Sequence, residues 1–387
     1  MTILRGILLC TLCLLLLSPA FAQPPAEPVV VQYWDFEQTA DPWSSMNPNA
    51  VVGLTAAQDN VLAGTSSLEV KYLLGANNTG MEAMLAGSAV VGLPGGAAWT
   101  AGISLGFKSS ATITALVGLR ENGGGSYMAP FFSPAGVWQE VRFGLEDFYP
   151  VEGMADADGK LEPARLEGFG VIDASGFLST IAEKLPVAGY EPGARQMYVD
   201  EVKLELDGPE PETMPFPEGQ PPPVVIDTCD RETIRWIVLG GKDWKATREA
   251  DGPNDRGAGT FHYRFEYTLP GGTLVAWLKP VHEGQLAETK ALHLALRAGE
   301  KLTLAVSVEE KGKARYTKLV EVPAGEEWTQ VTIPWEEFAL DKDSKDDNGK
   351  LDPEQITSLT LADPTGLAGQ PEDRKVVLGL DGVYASK

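Results

Sequence analysis

The chain carries one sequence pattern twice, and this duplication constrains its fold more than any other feature. Residues 138–176 align without a gap with residues 328–366, at an offset of 190 positions. The identical pairs include Trp138 with Trp328, Phe148 with Phe338, Leu161 with Leu351, Pro163 with Pro353, Asp173 with Asp363 and Gly176 with Gly366. Agreement over this length in a fixed register predicts two copies of one structural unit.

A proline-rich segment separates the two copies. Seven of the 17 residues from 207 to 223 are proline, and proline at this density removes backbone donors and favours an extended chain. We therefore predict a first module at residues 23–206, a Pro/Glu-rich linker at 207–223 and a second module at 224–387. The linker is expected to be semi-rigid and to hold the two modules apart.

Within each copy, apolar residues alternate with polar ones. Leu68, Val70 and Tyr72 alternate with two charged residues, and such runs, bounded by Gly, Pro, Asn or Asp, are typical of half-buried antiparallel strands. Residues 177–185 form the best candidate for a short helix. The sequence therefore predicts an all-β protein with two tandem antiparallel β-sandwich (jelly-roll) domains joined by a Pro-rich linker.

The N-terminus is typical of a secretory signal peptide. Arg5 precedes an apolar run at residues 7–17, and small residues at positions 20 and 22 form a cleavage pattern. We expect cleavage after Ala22, which removes residues 1–22 and makes the mature protein secreted or periplasmic. No later segment approaches the roughly 18 consecutive apolar residues that a spanning helix requires, so membrane insertion is not expected.

Composition argues against several classes of function. The net charge is −23, and no basic cluster is present that could follow a phosphate backbone, so nucleic acid is not an expected partner. Cys229 is the only cysteine outside the signal segment, which leaves no intramolecular disulfide. The sequence has no nucleophile elbow, zinc-protease motif or phosphate-binding glycine loop. We therefore predict that the protein is not an enzyme.

Several motifs resemble a known family. Copy one has WDFE (34–37), GTSSLEVKY (64–72) and YVDEVKL (198–204), and copy two keeps GEEWTQVTIPWEEF (325–338) and GLDGVY (379–384). These motifs resemble the carbohydrate-binding modules of the galactose-binding-like jelly-roll superfamily. Within it they resemble family 11 modules and the domain named after the complex I intermediate-associated protein. It implies a β-sandwich fold and a polysaccharide partner.

The resemblance also implies a structural calcium ion. Many modules of this kind hold one Ca²⁺ between acidic residues of the first strand and an aspartate of the last strand, positions that correspond here to Asp35, Glu37 and Asp200. We expect one such ion in module 1 and no other cofactor, because Asp381 in copy two lacks an evident acidic partner. The alternative is that these groups are ordinary carboxylates at strand ends.

The acidic segment DADGKLEP (156–163), repeated as DDNGKLDP (346–353), has two interpretations. With Gly159 or Gly349 at the sixth position of a calcium loop, oxygen ligands fall at positions three and five, but positions one and twelve are unsuitable. A tight Asp-Gly or Asn-Gly turn leading into a strand accounts for the same residues. We therefore predict a turn.

Glycan binding requires aromatic rings that stack on sugar C–H groups and polar side chains that bind hydroxyl groups. Because Trp138, Phe148 and their duplicates recur at fixed spacing, we predict that they belong to the cores. Trp43 and Trp244 are candidates for a rim. The candidate carbohydrate-binding residues are Trp99, Arg120, Tyr127 and Arg142 in module 1, and Trp277, His293, Tyr316 and Lys318 in module 2.

Together these features predict a secreted, non-catalytic polysaccharide-binding protein with two tandem modules. Joining two weak sites through a linker would raise their combined affinity by avidity. One alternative is an envelope structural or adhesion protein that binds another protein. Another is a glycan lyase or hydrolase whose acidic residues form no visible motif.

Overall fold

The computed structural model describes residues 30–387 except 77–79, 94–99, 152, 155–158, 183–184, 187–189, 215, 217–218, 220, 251–259 and 369–371. The described residues form four antiparallel β-sheets with short helices between strands. The all-β prediction is therefore confirmed. The predicted signal peptide and Trp99 lie outside the described residues. No helix among the described residues is long and apolar enough to cross a membrane.

The described residues of the first sandwich form eleven strands. They are β1 (Val30–Trp34), β2 (Val51–Thr55), β3 (Ser67–Leu74), β4 (Ser88–Gly92), β5 (Gly102–Ser109), β6 (Ile113–Glu121), β7 (Ser126–Ser133), β8 (Gln139–Gly144), β9 (Tyr149–Pro150), β10 (Leu166–Asp173) and β11 (Gly193–Glu205). Sheet A has the order β2-β3-β11-β5-β8, with β1 also on β11, and sheet B has the order β4-β10-β6-β7-β9. Helix α1 (Gly80–Leu85) follows β3. Helix α2 (Ser175–Ala182) follows β10 and overlaps the predicted short helix.

Twelve strands are described in the second sandwich. They are β12 (Val224–Asp227), β13 (Ile237–Leu239), β14 (Lys242–Glu249), β15 (His262–Leu269), β16 (Val275–Pro280), β17 (Ala291–Ala298), β18 (Leu302–Glu310), β19 (Arg315–Val322), β20 (Thr329–Pro334), β21 (Ala339–Leu340), β22 (Ile356–Asp363) and β23 (Arg374–Ser386). Sheet C has the order β14-β15-β23-β17-β20, with β12 on β23. Sheet D has the order β13-β16-β22-β18-β19-β21.

The topology repeats as the sequence does. When β13 is set aside, sheet C reproduces the strand order of sheet A, and sheet D reproduces that of sheet B. The register is repeated as well, because Asp200 lies opposite Gly106 and Asp381 lies opposite Ala295, each beside an irregularity of the last strand. Where β13 pairs with β16, the first sandwich has a single antiparallel bridge between Ser44 and Val90 of β4, so β13 is a longer form of a pairing that both sandwiches share.

Each sandwich has its own apolar core between its two sheets. Leu68, Val70 and Tyr72 of β3 point inward and are almost completely buried, as their alternation with charged residues predicts. Phe148 and Phe338 are also buried, which confirms their predicted place in the cores. These inward rows supply the apolar burial that stabilises the fold.

A buried tyrosine–aspartate–arginine cluster recurs in both cores. The Tyr72 hydroxyl donates to Asp173 at 2.6 Å, and Arg195 Nη1 lies 3.0 Å from the same carboxylate oxygen. In the second sandwich the Tyr267 hydroxyl donates to Asp363 at 2.8 Å. Burial, followed by the neighbouring aspartate, raises the pKa of both tyrosines well above the usual value. The phenols therefore stay protonated and act as donors.

In copy two the repeated acidic segment is a turn. Gly349 has a positive φ of 68°, and the Lys350 amide donates to Asp346 Oδ2 at 3.1 Å and to Asn348 Oδ1 at 2.6 Å. The side-chain oxygens thus hold the backbone of their own turn, which is usual for Asx residues. In copy one, Gly159 also has a positive φ, of 63°, while residues 155–158 lie outside the described part of the chain.

The two sandwiches pack directly against each other. Leu116 and Ile172, on the outer face of sheet B, form one apolar cluster with Leu239 and Ala276 of the second sandwich. The Phe132 amide donates to the Ile234 carbonyl at 2.9 Å. The expectation that the linker holds the modules apart is therefore wrong, because apolar side chains on the outer face of sheet B require cover from water.

A buried ion network fixes this contact. The Arg235 side chain, 6% exposed, pairs with Asp147 of the first sandwich and with Glu212 of the predicted linker, the latter at 2.6 Å. Arg231 Nη1 also contacts Asp147, at 3.0 Å. Burial alone would lower the pKa of Arg235, but the surrounding carboxylates outweigh it and raise that pKa well above its usual value. The guanidinium therefore stays charged and requires its partners.

We predict that Asp147→Ala destabilises the chain by about 3–5 kcal/mol, because it leaves a buried guanidinium with an incomplete set of partners. Urea unfolding measures this loss. The matched control is Glu337→Ala, at the equivalent position of copy two, where the carboxylate is 47% exposed and pairs with Lys318 at the surface. That change should cost about 1 kcal/mol or less. Equal losses for the two variants would contradict the assigned role of Asp147.

Candidate functional site

The part of the sheet B outer face that the second sandwich leaves open forms a groove of about 470 Å³. Four glycines on neighbouring strands line it: Gly92 of β4, Gly118 of β6, and Gly168 and Gly170 of β10. Gly168 lies opposite Gly92, and Gly170 lies opposite Gly118. Gly92, Gly118 and Gly168 are at least partly exposed, and because they have no side chains they leave the backbone open to the close approach of a flat ligand. Gly170 is buried beneath Val90.

An ion pair lies at one end of the groove. Arg120 lies opposite Gly168 across β6 and β10, and its Nε is 3.0 Å from Glu167 Oε1. The two side chains are 66% and 43% exposed, so the pair contributes little to stability. It does hold several hydrogen-bond donors and acceptors at the edge of the groove. Arg120 is one of the residues predicted from the sequence to bind carbohydrate.

The remaining lining is largely apolar and adaptable. Met46 and Met154 are exposed, Met128 is half-buried, and Leu85 and Val90 complete this surface. Methionine is unbranched and polarisable, so it can adjust to ligands of different shape. The groove can therefore accept an extended molecule that has apolar faces and polar edges.

The equivalent face of the second sandwich is filled by side chains. Cross-strand pairs in sheet D correspond one by one to those that line the groove. Pro280 and Ser358 replace the pair Gly92 and Gly168, Thr360 and Ser307 replace Gly170 and Gly118, and Glu309 replaces Arg120. The groove is therefore a property of the first sandwich.

Three predicted carbohydrate-binding residues are in the cores. Tyr127 is 1%, Trp277 0% and Tyr316 2% exposed. Trp277 packs against Trp244 with a centroid distance of 6.0 Å, and the Tyr316 hydroxyl donates to Asp346 at 2.8 Å. A ring with no open face cannot stack on a sugar, so the prediction is wrong for these three residues. Strand alternation placed them on the inward side.

The other described candidates lie on different faces and do not meet in one site. Arg142, on sheet A, donates through Nε to Glu205 at 2.9 Å. His293, on sheet C, stacks on Tyr384 at 4.6 Å, and burial lowers its pKa. Lys318 is paired with Glu337 at 2.8 Å. Their binding roles stay predictions, as does that of Trp99.

Three of the four tryptophans that the sequence assigned to cores or rims lie elsewhere in the structure. Trp43 is buried against Trp34 and other rings, so it is part of the core. Trp138 and Trp328 are only partly buried. Trp328 lies under Arg297 of the outer face of sheet C, 4.8 Å from its guanidinium. The prediction that Trp138 and Trp328 belong to the cores is therefore wrong. Trp244, which the sequence suggests as a candidate for the rim of a binding site, lines a crevice between the two sandwiches.

The carboxylates of the expected calcium site hold backbone amides instead. Glu37 accepts from the Thr65 amide at 2.9 Å and from its hydroxyl at 2.6 Å. Asp200 Oδ2 accepts from the amides of Leu62 and Ala63, each at 3.1 Å. Within the described ranges no three His, Cys, Asp or Glu side chains are grouped to hold a metal. Glu37 and Asp200 thus already have protein donors at the oxygens that a shared ion would use, and the calcium ion expected at Asp35, Glu37 and Asp200 stays a prediction.

The same carboxylate contact exists in copy two, where sequence analysis found no counterpart of Glu37. Phe36 and Cys229 are buried residues with positive φ values of 55° and 62°, and each precedes an acidic residue. Asp230 Oδ1 accepts from the Phe261 amide at 2.8 Å, as Glu37 accepts from Thr65. Alignment of CD (229–230) with FE (36–37) would have found this pair.

Sequence analysis also missed the glycines of the groove. Their signal was present in the duplication, because Gly118, Gly168 and Gly170 align with Ser307, Ser358 and Thr360. Glycine inside a strand weakens it and often marks the close approach of another molecule. Three such differences on one face of one copy therefore indicate a functional surface.

No protein-family model matches this chain, and no curated protein matches it. Similar solved structures include the N-terminal CBM22-1–CBM22-2 tandem domain of Paenibacillus barcinonensis Xyn10C, with 12% identity, a TM-score of 0.30 and coverage of 93% of this chain and 97% of that one. The family 11 module from Clostridium thermocellum was solved with a β-1,3-1,4-mixed-linked tetrasaccharide. It shows 13% identity, a TM-score of 0.29, and coverage of 39% of this chain and 88% of that one. The family 30 module of C. thermocellum Cel9D-Cel44B shows 14% identity, a TM-score of 0.28, and coverage of 43% of this chain and 94% of that one. Family 11 modules, which the sequence resembles, are thus among the similar structures.

We predict that calcium does not stabilise the protein, because amide and hydroxyl donors occupy the carboxylate oxygens that a cation would need. The melting temperature should be the same in millimolar calcium and in excess chelator. A reproducible increase with calcium that is lost in Asp200→Asn would show that the carboxylates rearrange around an ion.

A pH dependence follows from Glu37. The Thr65 hydroxyl and amide lower the pKa of Glu37 below its usual value of 4.5. The folded state thus favours the ionised carboxylate, so its contribution is present at neutral pH and is lost as the pH falls through the lowered pKa. We predict that Glu37→Gln reduces the decrease in melting temperature between pH 6 and pH 3. An unchanged decrease would contradict this role.

Proposed function

We propose that this protein is secreted and non-catalytic, and that it binds neutral polysaccharide in the groove of the first sandwich. The observation that carries the proposal is the row of glycines across three adjacent strands, which ends at the Arg120–Glu167 pair. The N-terminal sequence supports export, and the groove lies on a face that the second sandwich leaves open.

The chemistry of the groove suits a sugar chain. A sugar ring has apolar C–H faces, which can lie over the glycine backbone and the methionine side chains, and hydroxyl edges that Arg120 and Glu167 can bind. The net charge of −23 repels polyanions at long range. A neutral polysaccharide is therefore favoured over an acidic one.

The small number of carboxylate side chains in the groove supports binding without catalysis. Glu167 is the only carboxylate among its described lining residues, and it is already paired with Arg120. Most glycoside hydrolases use two carboxyl groups on either side of the scissile bond. The groove supplies one, which favours binding over hydrolysis.

The second sandwich has a different role in this proposal. Because the sandwiches are packed together and the equivalent groove of sheet D is filled, avidity between two separated sites does not operate. The second sandwich instead covers the apolar end of sheet B at Leu116 and Ile172. It thereby sets where the groove ends.

A second candidate ligand is an extended segment of an envelope protein. Tyr127 and Phe169 line the groove but are almost completely buried, so the described lining offers three methionines and no exposed aromatic ring. Methionine-rich surfaces often bind apolar peptide segments. This composition is the one feature of the groove that favours a protein partner.

Filling the groove tests the proposal. We predict that Gly118→Val reduces retention on a bound polysaccharide at least tenfold, a loss of about 1.4 kcal/mol or more. The nearest atom to the new Cβ beyond the sequence neighbours is the Gly170 carbonyl oxygen at 3.9 Å, so the strand can accept the change. The matched control is Ser307→Val on the second sandwich, which should bind as the unmodified protein does.

The assay uses residues 23–387 and a panel of mixed-linked β-1,3-1,4-glucan, xylan, cellulose and an acidic pectin. Affinity electrophoresis serves for the soluble glycans and pulldown for the insoluble ones. Retention on a neutral glycan that Gly118→Val abolishes and Ser307→Val preserves supports the proposal. Retention on none of the glycans, or equal retention of both variants, would overturn it and favour the peptide ligand.

A further inference from the structure

The first sandwich has a second pocket on its opposite side. It is a depression of about 350 Å³ on the outer face of sheet A, whereas the groove lies on the outer face of sheet B. The residues that define the pocket are Leu62, Ser104, Trp138, Glu140, Glu201 and Lys203. The Leu62 side chain lies directly over Gly106, where an added Cβ would be 2.3 Å from Leu62 Cδ2.

The aromatic surface of this pocket is the carbon part of an indole ring. Trp138 is partly exposed, but its Nε1 is buried and has no hydrogen-bond partner among the described residues. The exposed part of the side chain is therefore ring carbon. Such a surface suits stacking against the C–H face of a sugar.

A residue in an unfavourable backbone conformation brings a carboxylate to the pocket. Glu201 has a φ of 49°, a left-handed conformation that costs a non-glycine residue roughly 1 kcal/mol or more. The equivalent residue of the second sandwich is Gly382, with a φ of 54°. Both follow the aspartate at the irregularity of the last strand. The backbone geometry alone would be served better by glycine, so the side chain of Glu201 accounts for its presence.

The carboxylate is held in a defined position. Glu201 accepts a short hydrogen bond from the Tyr33 hydroxyl, and its Oε2 is 3.1 Å from Lys203 Nζ. Lys203 Nζ lies 5.3 Å from the centre of the Tyr33 ring. The acceptor and the donor therefore stand side by side, and both remain partly open to solvent. A pair of this kind can bind two neighbouring hydroxyl groups.

We propose that this pocket is a second sugar-binding site, which takes one residue of a neutral glycan. The ring lies against Trp138, and adjacent hydroxyl groups bind Glu201 and Lys203. The class of ligand rests on the proposed function, but the location does not. Ser104 donates to the buried Glu205 at 2.7 Å, which fixes the floor of the pocket.

The second sandwich has residues at the equivalent positions that close this surface. The guanidinium of Arg297 lies 4.8 Å from the centre of the Trp328 ring. Tyr384, which aligns with Lys203, stacks on His293 with an interplanar angle of 5°. Glycine replaces Glu201. The pocket is therefore specific to the first sandwich, and Trp328→Ala provides a control variant on the second sandwich.

Binding stoichiometry tests the second site. The two faces point in opposite directions across a sandwich whose sheets are about 10 Å apart, so a short oligosaccharide in one site does not reach the other. Equilibrium dialysis of the full mature chain uses the mixed-linked glucan tetrasaccharide and xylotetraose, each at saturating concentration. We predict two molecules per chain for the unmodified protein and for Trp328→Ala.

Single-site variants should each bind one molecule. Gly118→Val removes the groove, whereas Glu201→Gly and Lys203→Met remove the pocket with at least a tenfold weakening at that site. Because glycine relieves the left-handed conformation, Glu201→Gly should keep or raise the melting temperature. A purely structural role for Glu201 would lower it.

The outcomes separate this proposal from the proposed function. One molecule per unmodified chain, lost only in Gly118→Val, would overturn the second site and keep the groove. If the unmodified chain bound one molecule and only Glu201→Gly and Lys203→Met lost it, the pocket would be supported as a site and the groove would be overturned. The second site would also be overturned if Lys203→Met still bound two tetrasaccharide molecules per chain. The same holds if Glu201→Gly lost one bound molecule and also had a lower melting temperature.

Discussion

A buried arginine that must stay charged controls how the two sandwiches are arranged. Arg235 cannot leave Asp147 and Glu212 without placing an unpaired guanidinium in an apolar environment, which is strongly unfavourable. The partners come from the first sandwich and from the proline-rich segment, so the network joins three parts of the chain. The outer face of sheet B is consequently divided into a covered apolar end and an open groove. The candidate site therefore depends on a contact between the copies rather than on either copy alone.

The period-two pattern was sufficient to predict the all-β fold and the burial of Leu68, and recurrence in both copies correctly placed Phe148 in a core, but neither signal could rank the tryptophans. Trp138 and Trp328 recur at the same place in both copies, but recurrence reports an equivalent position and not burial, and both lie on outer faces. Arg120 was found at the groove because charged side chains avoid cores. The interface could not be predicted, since its apolar residues come from strands that are distant in sequence and look like ordinary half-buried positions.

The expected calcium site shows how one structural need can be met by different chemistry. Modules without disulfides require something to attach the loop before β3 to the first and last strands. Here Glu37 and Asp200 do this through hydrogen bonds to amides at residues 62–65, and charge-assisted bonds of this kind are among the stronger ones. Sequence can show that carboxylates are present, but it cannot show whether cations or backbone donors occupy them.

The contact between the copies is heterologous, because Leu116 and Ile172 of sheet B meet Leu239 and Ala276 of sheet D, which are not their equivalents. Contacts of that kind between like units can continue into open arrays. The apolar residues that the first sandwich offers to the second are Leu116, Phe132 and Ile172, and the second sandwich has Ala305, Glu321 and Ala362 at the same positions. Ala362 packs against the same apolar cluster as Ile172, so its small side chain lets sheet D lie close to the outer face of sheet B. The difference between the two sides of this contact therefore comes from side-chain size at equivalent positions rather than from strand order.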